Sequence, residues 1–74
     1  MNPTMDHILF VSFCVEMYAR RHAMQGADVM RLFSSLGVCE FLVESYDPLH
    51  ALGREAILDE VETFMRGAVR HAHA

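Results

Sequence analysis

Residues 29–37 read VMRLFSSLG, and this segment carries the clearest helical pattern of the chain. Its apolar residues recur at positions i, i+3, i+4 and i+7, which places their side chains on one face of an α-helix. These residues are Val29, Leu32, Phe33 and Leu36. Gly37 follows at the position where a residue in the left-handed conformation commonly ends a helix. The segment therefore predicts an amphipathic helix that ends at a glycine turn.

A longer helix is predicted ahead of this segment. It begins with Thr4 as the N-cap or with Pro3 at the first helical position, and we expect it to end at about Arg21 or His22. Only Ser12 and Glu16 interrupt its apolar middle, and at about 100° per residue they fall on one narrow face. We expect a helix with so wide an apolar surface to lie at the centre of a bundle or to be covered by another chain.

Further helices are predicted after the glycine turn. One begins near Cys39, and the last runs from about residue 54 to residue 66. Between them, Asp47-Pro48 predicts either a kink or a short helical turn over residues 48–52 that the Asp47 carboxylate caps. We expect the tail, residues 66–74, to fray.

The whole pattern predicts an all-α fold. The chain contains no alternation of apolar and polar residues long enough to predict a strand. We expect one domain over residues 1–74, a compact bundle of three longer helices and one short helix with no sheet. The expected core comprises Phe13, Val15, Val29, Leu32, Phe33, Phe41, Leu42, Ile57, Val61 and Phe64. Cys14 and Cys39 lie in apolar stretches and are expected to be reduced core thiols.

The composition indicates a folded protein and argues against nucleic-acid partners. The 74 residues are 53% hydrophobic, and the net charge is −4, with six arginines and no lysine. Binding to a phosphate backbone needs clustered basic residues. No basic region precedes the apolar run at residues 8–18, which is shorter than the roughly 20 residues of a membrane span. We therefore expect a cytoplasmic protein that binds neither nucleic acid nor membranes.

No set of residues forms a metal or catalytic signature. The only short pair of metal ligands is His71-x-His73, in the tail, so we expect no metal, no cofactor and no catalytic residues. Tyr46, Asp47 and His50 form a candidate motif. One interpretation of this motif is an enzyme site, and the other is a local structural role in which Asp47 caps a helical turn.

The hydrophobic content exceeds what a short bundle easily hides, which favours a protein–protein surface. The chain has six methionines, a residue type that is over-used at adaptable binding surfaces. The predicted exposed strip comprises Phe10, Met17 and Met24, and pairing of two copies across a two-fold axis would cover it. A non-enzymatic protein-interaction module, self-associating or bound to another protein, is therefore the leading prediction.

A helix-turn-helix-like DNA-binding regulator is the alternative prediction. The two predicted helices on either side of Gly37 have the connectivity of such a unit. The second helix would, however, present Glu40 and Glu44 to the DNA phosphates, and it has no Arg, Asn or Gln to read base edges. The negative charge of the second helix therefore makes DNA binding a less favoured prediction than protein binding.

The most distinctive stretch of the chain is Tyr46-Asp47-x-Leu49-His50-x-x-Gly53. Together with Phe13-Cys14-Val15-Glu16 and Tyr18, it makes residues 10–64 resemble a small bacterial all-α family known only as a domain of unknown function. The chain departs from the family pattern at Gln25 and at Pro48. Genes of this family often lie beside a gene for an ADP-ribosyltransferase-like protein. The resemblance implies a small, antitoxin-like partner of that neighbouring effector rather than an enzyme.

Overall fold

The described part of the chain folds into five α-helices and forms no strand. The computed structural model describes the backbone of residues 3–72 and the side chains of residues 3–70. The helices are α1 (Met5–His22), α2 (Gly26–Leu36), α3 (Val38–Glu44), α4 (Tyr46–His50) and α5 (Arg54–Ala72). The prediction of an all-α fold is confirmed. Two short helices, α3 and α4, accompany the three longer ones, where the sequence led us to expect a single short helix.

Helix α1 begins at a capping box. The Thr4 hydroxyl accepts the backbone N–H of His7 at 3.4 Å, and the Thr4 N–H donates to Nδ1 of His7 at 3.0 Å. These two bonds satisfy N–H groups that lack partners at a helix start. The prediction of Thr4 as the N-cap is therefore confirmed, and so is the end of the helix at His22. The next residue, Ala23, adopts the left-handed conformation with φ of 53°.

Gly37 joins α2 directly to α3. Its φ of 77° lies in the left-handed region, and its N–H donates to the carbonyl oxygens of Phe33 and Ser34. A residue with a Cβ adopts this conformation only at a cost, which explains the glycine. The predicted glycine turn at the end of α2 is confirmed. Because no other residue separates the two helices, the chain changes direction sharply here.

The prediction that Asp47 caps a turn beginning at Pro48 is wrong. Helix α4 begins at Tyr46, after Ser45, and has no side-chain cap. Pro48 is thus its third residue, where a missing N–H costs nothing because the first-turn N–H groups have no helical partner. Had α3 continued, the Pro48 ring would meet the carbonyl of Glu44, four residues earlier. The helix therefore breaks at Ser45, two residues before the predicted position.

Helix α5 is longer than predicted. The expected end was residue 66, but the helix continues through Gly67 to Ala72. A helical glycine costs only about 1 kcal/mol relative to alanine, so it need not end a helix. The following residue, Ala68, is half-buried and thus gains contacts from the extension. Residues 73 and 74, the end of the tail that was expected to fray, lie outside the described residues.

The core lies between α1, α2, α3 and α5, and α4 closes one side of it. It comprises Phe10, Cys14, Val15, Tyr18, Val29, Phe33, Val38, Leu42, Leu49, Ile57, Leu58, Val61 and Met65. Six of the ten predicted core residues are buried. The other four pack against the core and are half-buried: Phe13, Leu32, Phe41 and Phe64. Cys14 is fully buried, as predicted, whereas Cys39 is only half-buried, and both thiols are free.

Candidate interaction surface

Three large apolar side chains are exposed together in the first turns of α1. Met5, Ile8 and Leu9 are 66%, 50% and 60% exposed. Their spacing of i, i+3 and i+4 makes them neighbours on the helix surface. We call these three residues the N-terminal ridge. Scattered single apolar residues are ordinary on a protein surface, but a contiguous group is typical of a binding site.

The predicted exposed strip of Phe10, Met17 and Met24 does not form. Phe10 is only 8% exposed and belongs to the core, Met17 is half-buried, and Met24 is 37% exposed in the turn after α1. The prediction for Phe10 is wrong because Phe10 lies on the same helix face as Cys14 and Tyr18, which points into the bundle. The exposed apolar residues of α1 therefore lie on another face of the helix, at the N-terminal ridge.

The candidate motif residues Tyr46 and His50 belong to a cluster of rings that fastens α4 to α1. The edges of the rings of His7 and Phe10 meet the Tyr46 ring at centroid distances of 4.7 and 5.3 Å. The His50 ring stacks on Tyr46 at 4.2 Å, and its Nδ1 lies 2.6 Å from the Tyr46 carbonyl oxygen. Aromatic pairs of this geometry stabilise packing. These contacts of Tyr46 and His50 hold α4 against α1.

Asp47, the third candidate motif residue, is exposed and is not joined to His50. It borders a pocket of about 530 Å³ between the start of α1 and the helices α3 and α4. The lining also includes His7, Glu40 and Glu44. This pocket concentrates negative charge, yet the described residues contain no group of three or more His, Cys, Asp or Glu side chains that could hold a metal ion. The short pair His71-x-His73 lies outside the described side chains.

Arg21 makes the most extensive polar contact of the molecule. From the last turn of α1 its guanidinium donates to Glu62 at 2.6 Å and to Asp59 at 3.5 Å, and it also pairs with Glu55. The hydrogen bond to Glu62, followed by the charges of the carboxylates, raises the pKa of Arg21. This cluster was not predicted from the sequence. The sequence does show three carboxylates whose spacing places them on one face of α5. It does not show which arginine they contact.

The buried thiol of Cys14 is unsuited to nucleophilic chemistry. Its side chain has no exposed surface, and burial raises its pKa to about 12. A nucleophilic cysteine needs the thiolate, which positive neighbours or a helix N-terminus would favour. Neither feature is present around Cys14, whose neighbours in the core are apolar.

The comparisons with known proteins give a family but no function. No curated protein and no solved structure matches the chain. In the described part of the chain, no helix is long and apolar enough to cross a membrane. A family model described as a protein of unknown function, DUF3791, matches residues 9–67 of the 74. The match covers all of α2, α3 and α4 and most of α1 and α5. The chain therefore belongs to the DUF3791 family of proteins of unknown function.

Proposed function

We propose that this protein is a non-enzymatic protein-interaction module that pairs with a second copy of itself through the N-terminal ridge. The observation that carries the proposal is the concentration of three apolar side chains, each at least half exposed, within about one turn of one helix. The capping box at Thr4 holds that turn in a helical conformation, so the ridge is presented in a defined geometry.

The free energy of pairing comes from removing this apolar surface from water. Each buried square ångström contributes about 25 cal/mol, and full burial of a Leu, Ile or Met side chain contributes about 1.5–3 kcal/mol. The ridge residues are uncharged, so two copies meet across a two-fold axis without like-charge repulsion within the ridge itself. Small single domains have limited cores, and self-association adds to their stability.

The geometry around the candidate motif supports a non-enzymatic role. His50 has its Nδ1 against the Tyr46 carbonyl oxygen of its own helix. No hydrogen bond joins His50 to Asp47, so this carboxylate does not orient the imidazole as it would in a catalytic pair. The Tyr46 ring is packed between the rings of other residues, which suits a structural role better than a reactive one.

The charge of α3 supports protein binding over the alternative of a DNA-binding regulator. In a helix-turn-helix unit, α3 would be the helix that enters the major groove. It has only seven residues, and its exposed side chains include Glu40 and Glu44. Carboxylates at those positions repel phosphates, whereas binding of DNA depends on arginine and lysine. A gel shift with random duplex at low salt tests this, and a retarded band would favour the regulator.

A finer form of the proposal makes the protein the small, antitoxin-like partner of an effector encoded by a neighbouring gene. Its support is the family resemblance carried by residues 10–64, together with the same exposed ridge. In this form the effector covers the ridge in place of a second copy. Co-expression of the two genes, followed by purification of the complex with wild-type protein and with the Leu9→Glu variant, tests this form.

Sedimentation at micromolar concentration tests the pairing of two copies. We expect the wild-type chain to sediment as a dimer of the 8.4 kDa protein and the Leu9→Glu variant as a monomer. The loss of two buried leucines per dimer should raise the dissociation constant roughly 100-fold or more. Leu52→Glu is the matched control, because Leu52 is 42% exposed and lies outside the ridge. A wild-type monomer, or a dimer that Leu9→Glu leaves intact, would contradict the proposal.

A further inference from the structure

A second candidate surface is a groove between α2 and α5, on residues that the N-terminal ridge does not include. Its volume is about 530 Å³. The apolar part of the lining is formed by Tyr18, Leu32, Leu36, Met65 and Val69. Val69 is 44% exposed although it is a large aliphatic residue. The extension of α5 beyond residue 66 supplies the far end of this groove.

The charged side chains of the lining are two arginines and one glutamate, so positive charge exceeds negative charge there. These residues are Glu62, Arg66 and Arg70. The Glu62 carboxylate is engaged by Arg21 at 2.6 Å and lies 3.3 Å from Nε2 of His22. Arg66 donates only to the Thr63 hydroxyl, at 3.3 Å, and neither Arg66 nor Arg70 pairs with a carboxylate of residues 3–70. Two arginines that have no carboxylate partner among residues 3–70 therefore border an apolar groove in a chain whose net charge is −4.

The spacing of the lining residues matches one helical turn. Leu32 and Leu36 on α2 are four residues apart, and so are Met65 and Val69 on α5. The two arginines repeat the same interval along α5. Side chains at i and i+4 lie about 5–6 Å apart on a helix surface. A partner helix that carries its own side chains at the same interval would fit these rows, as in the helix-in-groove mode of peptide recognition.

We propose that this groove binds an amphipathic helical segment of another protein, with apolar side chains against the floor and carboxylates one turn apart against Arg66 and Arg70. Charge complementarity between these carboxylates and the two arginines favours this kind of partner. A polyanion such as nucleic acid would be repelled by the negative chain as a whole. If the N-terminal ridge of a second copy docked in this groove, the ridge would supply no carboxylate to pair with Arg66 and Arg70. The proposal concerns a different face from the ridge and is independent of pairing.

Fluorescence anisotropy with two synthetic peptides tests this proposal. Both are labelled amphipathic helices with leucines on one face, one with two glutamates a turn apart beside the leucines and the other with lysines there. The glutamate peptide should bind the full chain, and the lysine peptide should bind more weakly. The double variant Arg66→Glu/Arg70→Glu should lose roughly tenfold or more in affinity for the glutamate peptide and should now prefer the lysine peptide.

The controls distinguish an effect on binding in the groove from an effect of the changed net charge and from loss of folding. Arg20→Glu changes an exposed arginine outside the groove and is compared with the single variant Arg70→Glu, since each carries the same charge change. Melting of each variant is followed by circular dichroism, and methyl resonances of Leu36 and Val69 should shift when the glutamate peptide is added to wild-type protein. These shifts identify the groove even if a variant unfolds.

Several results would overturn the proposal. These are absence of glutamate-peptide binding, equal binding by wild-type protein and a folded double variant, or resonance shifts confined to residues outside the groove. A dimer that dissociates on Val69→Glu but not on Leu9→Glu would assign the groove to a second copy and would also overturn it. The titration is repeated with Leu9→Glu protein, in which pairing through the ridge is removed. Loss of peptide binding in the groove can then be distinguished from loss of pairing.

Discussion

Arg21 of α1 donates a hydrogen bond to Glu62 of α5 across a nitrogen–oxygen distance of 2.6 Å. The two residues are 41 positions apart in the sequence, so this bond joins the end of one long helix to the middle of the other. The same guanidinium reaches Asp59 and Glu55, and His22 lies beside the second oxygen of Glu62. One cation thereby offsets part of the negative charge of three carboxylates, and one of these, Glu62, also lines the α2–α5 groove.

We expect Arg21→Gln to lower the melting temperature, since it leaves three carboxylates of α5 close together without their shared cation. Arg20→Gln is the matched control, because Arg20 is exposed and has no ion pair among the described residues. The difference between the two variants should shrink in high salt, since salt screens charges at the surface. Thermal melts at low and high ionic strength measure it. Equal melting temperatures at low salt would contradict a stabilising role for Arg21.

Substitutions at two candidate caps should differ in effect. Thr4→Ala removes the hydroxyl that accepts the His7 N–H and should cost about 0.5–2 kcal/mol of unfolding free energy. Asp47→Ala should cost less than about 0.5 kcal/mol, because Asp47 is exposed and does not cap α4. Urea denaturation of both variants measures these changes. If Asp47→Ala lost more unfolding free energy than Thr4→Ala, that result would support the cap at Asp47 that the sequence predicted.

Truncation of Phe33 should remove most of the stability. Phe33 has no exposed surface and meets the edge of the Tyr18 ring at a centroid distance of 5.3 Å. Phe33→Ala should cost ~3–5 kcal/mol, close to the whole stability of a small domain. Met30→Ala, on the exposed side of the same helix, should change stability by less than about 1 kcal/mol. Chemical denaturation of the pair tests the bundle, and similar midpoints would contradict it.

The two cysteines should react at very different rates. Burial raises the pKa of Cys14 to about 12, so its thiol is almost entirely protonated at pH 8, and its side chain has no exposed surface. Half-buried Cys39 should therefore account for the fast reaction with a thiol reagent, and Cys14 should react after unfolding. Cys39→Ser removes the fast phase. A fast phase that persists in Cys39→Ser would show that Cys14 is accessible.

The raised pKa of Cys14 also sets a pH dependence of stability. Between pH 9 and about pH 12 the unfolded chain has lost the thiol proton while the folded chain still holds it. The unfolded state then binds fewer protons, so this group makes stability fall as the pH rises through that window. Cys14→Ala should show a smaller fall. Urea denaturation at a series of pH values above 9 measures the difference, and parallel curves would contradict it.

The sequence by itself determined the features that depend on local physical chemistry. The apolar spacing of residues 29–36 predicted α2, the need for a left-handed residue predicted the turn at Gly37, and the capping preference of threonine predicted the start of α1. Each of these depends on residues within about one or two turns of each other. The resemblance carried by residues 10–64 predicted a small domain of unknown function, and the match of residues 9–67 confirms that part of the prediction.

Which side of α1 is buried depends on long-range packing and could not be predicted from the sequence. Roughly two-thirds of that helix surface is apolar, so periodicity alone did not distinguish Phe10, which lies in the core, from Leu9, which lies on the N-terminal ridge. Phe10 is buried because α2, α3, α4 and α5 pack on the face of α1 that carries Phe10, Cys14 and Tyr18. The candidate surfaces depend on the same long-range contacts. Contacts between residues far apart in the chain are set by the shapes and charges of several helices together, and no local pattern in the sequence records them.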